Sequence, residues 1–387
     1  MKILLVISKF LPEYSGPSLR LFNTYQRLSI KKKIKLQVYC QSEEQLNFKE
    51  YCYKGINVKR FSSFRSFYLN KIIKQLYFFY LIYKIYIISN KYDVFHVVGN
   101  SQLTNAALYV SRLKNKPLFF ELVNASAKPN QRNKILDFFF KLNLNHRSVI
   151  VCLSKQLAEK CYDWGLKKNV WIKPNPVNQK NYNLKQKDIN KNNLLYISQF
   201  MTRKNQIFLI EVMKYLPKNF ILNLAGPLVK EGKNFERDNE YFNLIKLKIK
   251  KYGLESNIFL LPYFVETHQL LKKTNIYLMP SFNEGLGTTL LESLCCGIPV
   301  IANKNEEVFN EYIVDDFNGK LLDLNPKLWA EEIIKIYSSN YFDEIKISKS
   351  IYDKVSSNKI DHEIVKILNA LVSSKSNDII NVNKILS

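Results

Sequence analysis

Acidic residues are scarce in this chain: 33 Asp and Glu stand against 58 Lys and Arg, a formal excess of +25 over 387 residues. A field of that sign draws a protein towards anionic lipid, nucleic acid or phosphate-bearing substrates. No nucleic-acid reading module and no dense Arg run accompanies it, so nucleic acid is not expected as a partner. The abundance of Lys, Asn and Ile leaves open that much of the excess is compositional drift on a solvated surface. Six cysteines form no C-x-x-C pair and have no companion histidines at metal-ligand spacing. That excludes a zinc module, and a reduced, cytoplasmic setting is expected. No stretch is dominated by Pro, Gly or Ser, and no internal repeat appears, which argues against disorder and repeat arrays. The opening MKILLVIS is apolar only as far as Lys9 and lacks a small-residue cleavage site; it reads as a buried first strand, not a signal peptide.

An uninterrupted membrane-spanning run of about 20 apolar residues is also missing. The densest segment, Phe67 to Ser89, is broken by Lys71, Lys74 and Lys84, so it does not read as transmembrane. Two readings remain for it. It is a core helix of the first domain with a few exposed lysines, or a helix lying in a lipid interface with its rings at the headgroups and its lysines snorkelling.

Single α/β cores stop growing near about 250 residues, so a chain of this length is expected to hold two domains. KILLVIS, KLQVYC, DVFHVVG, PLFFELVN and SVIVCLS are short apolar runs separated by helical patterns such as SLRLFNTYQRLS and LTNAALYVSRLK. Strands buried on both faces read as such continuous runs, so a parallel, doubly wound α/β sheet follows. Between 170 and 193 the rhythm gives way to Pro, Asn and Lys, the best linker in the chain. The alternation then restarts with NLLYISQF, FILNLAG, NIFLLPY, NIYLMPS and IPVIAN. The expected division is therefore 1–180 for a first Rossmann-like domain, 181–365 for a second, and 366–387 for a helix or tail returning to the first.

Chemistry concentrates in NIYLMPSFNEGLGTTLLESLCCGIPVIAN, residues 275 to 303. A strand ends at Pro280 and Ser281, a loop carries Glu284, Gly285, Leu286 and Gly287, and a helix is predicted from Thr288 with Glu292 inside it. Glycines before a helix let backbone N–H groups approach an anion, and the helix start adds about half a positive charge. A diphosphate suits that place. Glu292 is four residues into the helix, about 6 Å along its axis, a fitting offset from the diphosphate to ribose hydroxyls.

The E-x7-E spacing after P-S and before G-x-P-V resembles the signature of glycosyltransferase family 4, the retaining GT-B enzymes of group 1. LLYISQFMTRKNQIFLIEVM resembles the family's phosphate-gripping strand, loop and helix, PNPVN its interdomain element, LAGP its next strand, and the Pro12 to Ser18 loop with Gly16 its first-domain glycine loop. DVFHVVG sits at the family's D-V-I-H strand, where His96 is read as structural. The resemblance implies a GT-B fold of two Rossmann-like domains facing across a cleft. It also implies a nucleotide-sugar donor and retaining transfer of a hexosyl group to a glycan or lipid-linked acceptor.

By the same resemblance Glu284 acts at the reacting centre. Gly16, Lys204, Arg203, Gly285, Leu286, Gly287, Thr288 and Glu292 bind the donor, and Asn124 or Glu121 serves the acceptor side. No D-x-D motif is present, so no metal or other cofactor is expected. Bacterial capsule, O-antigen or lipopolysaccharide assembly is the expected setting, with an anionic membrane surface as partner and peripheral attachment at the inner face.

The chain also departs from the pattern. Ser198 and Gln199 stand where the family has Gly-Arg, and Gln lacks the guanidinium's charge and bidentate grip. Lys304, Asn305, Glu306 and Glu307 replace a Gly-rich loop, and Val123 or Asn124 replaces the first domain's histidine. Glu121 is open between a site carboxylate and a strand-end residue. These departures keep a second expectation in play: a GT-B-like protein that binds a sugar nucleotide or a partner without catalysing transfer.

Overall fold

The computed structural model describes residues 1–32, 34–42, 49–62, 71–123, 143–144, 147–166, 169–178, 192–229, 234–264, 266–339, 342–375 and 380–387. The chain packs into two compact units, Met1–Pro176 with Asn358–Ser387, and Val177–Ser357.

The first unit is built on an eight-stranded sheet: β1 (Lys2–Ile7), β2 (Lys35–Gln41), β3 (Lys49–Tyr53), β4 (Ile56–Phe61), β5 (Val94–Val98), β6 (Leu118–Leu122), β7 (Ser148–Cys152) and β8 (Val170–Ile172). Its order is β3-β4-β2-β1-β5-β6-β7-β8. All pairs are parallel except β3 with β4, an edge hairpin. Its two-residue turn needs positive φ at both positions, which Lys54 (46°) and Gly55 (84°) supply. β5, β6 and β7 are buried along their whole length, as central parallel strands must be.

The helices of this unit are α1 (Gly16–Lys32), α2 (Lys71–Ile88), α3 (Gln102–Leu113) and α4 (Lys155–Asp163). Ser101 starts α3 through a reciprocal capping box: its hydroxyl accepts from the Thr104 N–H at 3.3 Å, and Thr104 Oγ1 accepts from the Ser101 N–H at 2.6 Å.

The second unit has six parallel strands, β9 (Asn192–Ile197), β10 (Phe220–Ala225), β11 (Ile258–Leu261), β12 (Ile276–Met279), β13 (Val300–Asn303) and β14 (Gly319–Leu322), in the order β11-β10-β9-β12-β13-β14. Numbered within the unit, that is 3-2-1-4-5-6, the doubly wound dinucleotide-binding order. Its helices are α5 (Gln206–Met213), α6 (Phe235–Lys251), α7 (Thr267–Leu271), α8 (Thr288–Cys295), α9 (Pro326–Ser339) and α10 (Glu344–Val355). At the end of β10, Gly226 has φ +139°, and a Cβ there would lie 2.2 Å from the Ser198 carbonyl oxygen, so only glycine lets the two strand ends approach.

The chain re-enters the first unit through α11 (Ser357–Ser373) and ends in α12 (Val382–Leu386). The outgoing and returning segments are pinned side by side, with Val177 N–H donating to the Val355 carbonyl at 2.8 Å and Ser357 N–H to Val177 at 3.1 Å. The return falls at Asn358, eight residues before the 365/366 boundary read from sequence, because α11 is one uninterrupted helix. Ile360, Ile364, Ile367, Leu368 and Leu371 bury into the first unit's core, and Asp361 pairs with Arg27 of α1 at 2.7 Å. The expected outgoing boundary, at Asn181, lies outside the described residues.

Over 71–89 the structure parts from the core-helix reading of the 67–89 segment, whose first four residues lie outside the described residues. Leu81 and Ile85 of α2 are buried, but Ile72, Ile73, Leu76, Phe79, Tyr80, Tyr83, Tyr86 and Ile87 are exposed. Positions 72, 76, 79, 83 and 86 follow helical spacing, so the outward face is itself an apolar stripe. Ile72–Lys91 is long and apolar enough by length and composition to cross a bilayer, with mean hydropathy 1.3. Only 17% of its apolar window is buried, whereas a core helix would be mostly covered.

Candidate functional site

In a doubly wound sheet, ligands bind at the carboxyl ends of the strands where the order reverses. In the second unit that switch point lies between β9 and β12, and the loops leaving these strands carry the chemically distinctive residues. After β9, Gln206 holds the loop by donating from Nε2 to Ser198 Oγ (2.9 Å) and to the Gln199 carbonyl (3.0 Å). A single 3-10 turn, Thr202–Lys204, follows, ended by Asn205 in the left-handed region (φ 55°). After β12, the Phe282 N–H donates to the Arg203 carbonyl at 2.9 Å, and Asn205 Nδ2 to the Pro280 carbonyl at 3.3 Å. Two loops about 80 positions apart in sequence are thereby laced together.

At their junction Lys204 Nζ forms an ion pair with Glu284 Oε1, and Arg203 Nη1 lies 3.5 Å from Glu284 Oε2. Glu284 is 6% exposed. Burial alone would raise its carboxyl pKa, but the charges of Lys204 and Arg203 outweigh burial and hold it below the ordinary value. Burial draws the Lys204 ammonium down, while Glu284 opposes the shift. Lys204 and Glu284 are thus a charged, partly desolvated pair beside the start of α8. Gly287 is the residue before that helix, and a Cβ on it would lie 2.5 Å from the Met279 methyl.

Arg203, Lys204 and Glu284 are therefore brought into direct contact. Gly285, Leu286 and Gly287 are buried in the same loop, Thr288 opens α8, and Glu292 lies half-buried on that helix. Gly16 belongs to the first unit, exposed at the start of α1, where a Cβ would meet nothing within 4 Å. Asn124 lies outside the described residues. Asn205 and Gln206 brace these loops without a marked sequence signal, since an Asn just before a helix also serves as an ordinary cap.

Glu121 is 1% exposed at the end of β6. Arg20 of α1 grips it with both Nη atoms, and His96 Nε2 stands 3.3 Å away. Burial lowers the His96 pKa against the pull of Glu121, and the Tyr25 hydroxyl and His96 Nδ1 share a hydrogen bond of 2.6 Å. Arg20 pairs with Glu121 directly, while Lys173 acts on Glu121 only through its field and lies 5.8 Å from the Trp171 ring centre. Lys173 is 2% exposed, its ammonium has no hydrogen-bond partner among the described residues, and burial brings its pKa down to about 8.

The sign of the linkage is fixed by that value. Between pH 8 and the ordinary lysine value the unfolded chain binds the proton more tightly, so stability rises with pH across that window. Lys173→Met is expected to stabilise the protein by about 2 kcal/mol at neutral pH and to flatten this rise. Thermal unfolding at pH 7 and pH 9.5 measures both; a destabilised variant would mean that the attraction of Glu121 and the Trp171 ring outweighs the cost of burial.

Residues 178–352 match the family model of the glycosyl transferases group 1. The chain is 32% identical over 150 residues to the capsular polysaccharide biosynthesis glycosyltransferase CapH of Staphylococcus aureus, covering 38% of this chain and 40% of that protein. It is 21% identical over 320 residues to a UDP-Gal:alpha-D-GlcNAc-diphosphoundecaprenol alpha-1,3-galactosyltransferase of Escherichia coli, covering 75% and 79%. The chain spans about half the length of the first curated relatives it matches. Among solved structures, HepE of Anabaena in complex with UDP superposes with a TM-score of 0.73 at 18% identity, over 96% of this chain and 100% of that one. The chain therefore has the GT-B fold, and its second unit matches the group 1 glycosyl transferases over residues 178–352.

Proposed function

We propose that this protein is a retaining glycosyltransferase that moves a hexosyl group from a nucleoside diphosphate sugar to a glycan or lipid-linked acceptor in surface polysaccharide assembly. The observation that carries this is the Arg203, Lys204 and Glu284 cluster at the β9/β12 switch point, beside the start of α8. In transfer the bond from the anomeric carbon to the diphosphate oxygen breaks and a bond to an acceptor oxygen forms, while the acceptor proton leaves with the diphosphate. The charge on that leaving group is the main barrier, and preorganised cations and N–H dipoles lower it. Lys204 and Arg203 supply the cations, so the reading needs no divalent metal. Retention rests on the E-x7-E resemblance and is tested by the anomeric configuration of the product.

Relatives named for capsule biosynthesis and for a diphosphoundecaprenol-linked acceptor support the class of reaction, and the UDP held by HepE supports a nucleotide ligand. The exposed stripe on α2 supports a membrane surface as partner: from Lys71 to Tyr92 the chain carries four lysines and no acid among its aromatic and aliphatic residues. Such a helix suits the headgroup region of an anionic leaflet. The protein then acts as a peripheral enzyme on the cytoplasmic face.

A thermal-shift screen against UDP, GDP and ADP and their sugars tests the donor site. One nucleotide family is expected to raise the unfolding temperature, and Glu292→Ala to remove most of that rise by deleting the ribose contact. No response from the folded wild type to any nucleotide would overturn the reading and favour a non-catalytic role.

A further inference from the structure

Glu306, in the loop after β13, sits in a place that the donor reading leaves unexplained. Its Oε1 accepts from the Asn283 N–H at 2.8 Å and its Oε2 from the Glu284 N–H at 2.9 Å. Two consecutive amides can converge on one anion because Asn283 adopts the left-handed region, φ 53°. Convergent pairs of this kind form the concave nests in which proteins bind phosphates and carboxylates. Here the nest is filled from within the chain.

Glu306 is itself held. Its N–H donates to the Asn303 carbonyl at 3.2 Å, and buried Asn303 donates from Nδ2 to the Ser281 carbonyl at 3.1 Å. The loop after β13 therefore grips the loop after β12 at both ends of the segment that presents Glu284. Glu306 also acts electrostatically on Lys204, opposing in small part the fall in pKa that burial imposes. Lys204, Arg203, Glu284 and Glu306 together make a formally neutral quartet.

We propose that Glu306 is the positioning residue of the Glu284 loop: by filling the Asn283–Glu284 nest it fixes where the Glu284 carboxylate stands and closes both amides to the donor. The donor diphosphate is then left to Lys204, Arg203 and the start of α8. The inference rests on the glycosyltransferase reading for its catalytic half, while the clamp itself stands without a ligand. A helix-start or nest site for the donor at Asn283 and Glu284 would require Glu306 to leave.

The experiment compares wild type, Glu306→Ala and Glu306→Gln. In ligand-free protein, amide hydrogen exchange across 281–287 is expected to accelerate about tenfold or more in the Ala variant, with 276–279 unchanged. Gln keeps the chain length but turns an N–H towards one amide, so its exchange should fall between the two. Nucleoside diphosphate release is then followed with UDP-, GDP- and ADP-glucose. With whichever donor the wild type consumes, kcat is expected to fall about tenfold or more in the Ala variant with KM little changed, and added formate, entering the nest, to restore part of kcat. Unchanged exchange would overturn the clamp. Accelerated exchange with unchanged kcat would overturn the positioning role. If the wild type neither binds nor releases any of the three nucleoside diphosphates while exchange responds, the clamp is upheld and the glycosyltransferase reading falls.

Discussion

Replacing Lys204 by methionine is expected to lower turnover of the nucleotide sugar by about 10²–10³-fold, the usual loss when one preorganised charge is removed from a leaving group. Lys204 ends a 3-10 turn that is tied to the Glu284 loop through Phe282, so its ammonium is held at the switch point before any ligand arrives. In the resting protein that charge is given to Glu284, and the diphosphate must draw it away. Arg203, more exposed and 3.5 Å from Glu284, remains in the variant but offers a looser contact.

A second signature accompanies the kinetic one. Glu284 titrates below the ordinary value because Lys204 and Arg203 outweigh its burial, so its contribution to stability is present above that value and lost as pH falls through the lowered one. Without Lys204 the acid limb of stability should move to higher pH. Nucleoside diphosphate release and thermal unfolding between pH 3 and pH 6 read the two effects. A variant with wild-type turnover would remove Lys204 from the mechanism.

The sheets were legible in the sequence because centrally placed parallel strands are buried on both faces and appear as unbroken apolar runs such as ILLVI and SVIVC. The two edge strands of the first unit were not. β3 (KEYCY) is largely exposed and alternates too weakly to stand out, and β8 is three residues inside a segment rich in Pro and Asn. The Glu284 motif could be read because its parts are consecutive. Its pairing with Lys204 could not, since it depends on the return of the chain to a neighbouring strand. Glu306 was visible only as a departure, and Lys173 as one more lysine in a linker. Burial of a charge is a property of the packed state, and no spacing rule reports it.

The same limit explains α2, and its resolution gives the other large expected effect. Periodicity says that a helix has an apolar face but not whether anything covers it. Here Leu81 and Ile85 face inwards, and a second apolar stripe faces out. Leu76→Glu with Phe79→Glu is expected to reduce binding to anionic vesicles by about 100-fold or more, since each side chain contributes about 1.5–3 kcal/mol when taken out of water. Both residues are over 60% exposed (63% and 64%), so the folded state should lose little. Wild-type binding should weaken with salt, because the lysines contribute through a field screened over about 10 Å at 0.1 M. Vesicle flotation with size-exclusion chromatography distinguishes the occupants of the stripe. Flotation that survives the double substitution would move the membrane contact elsewhere, and a dimer that dissociates on substitution would assign the stripe to a second copy of the chain.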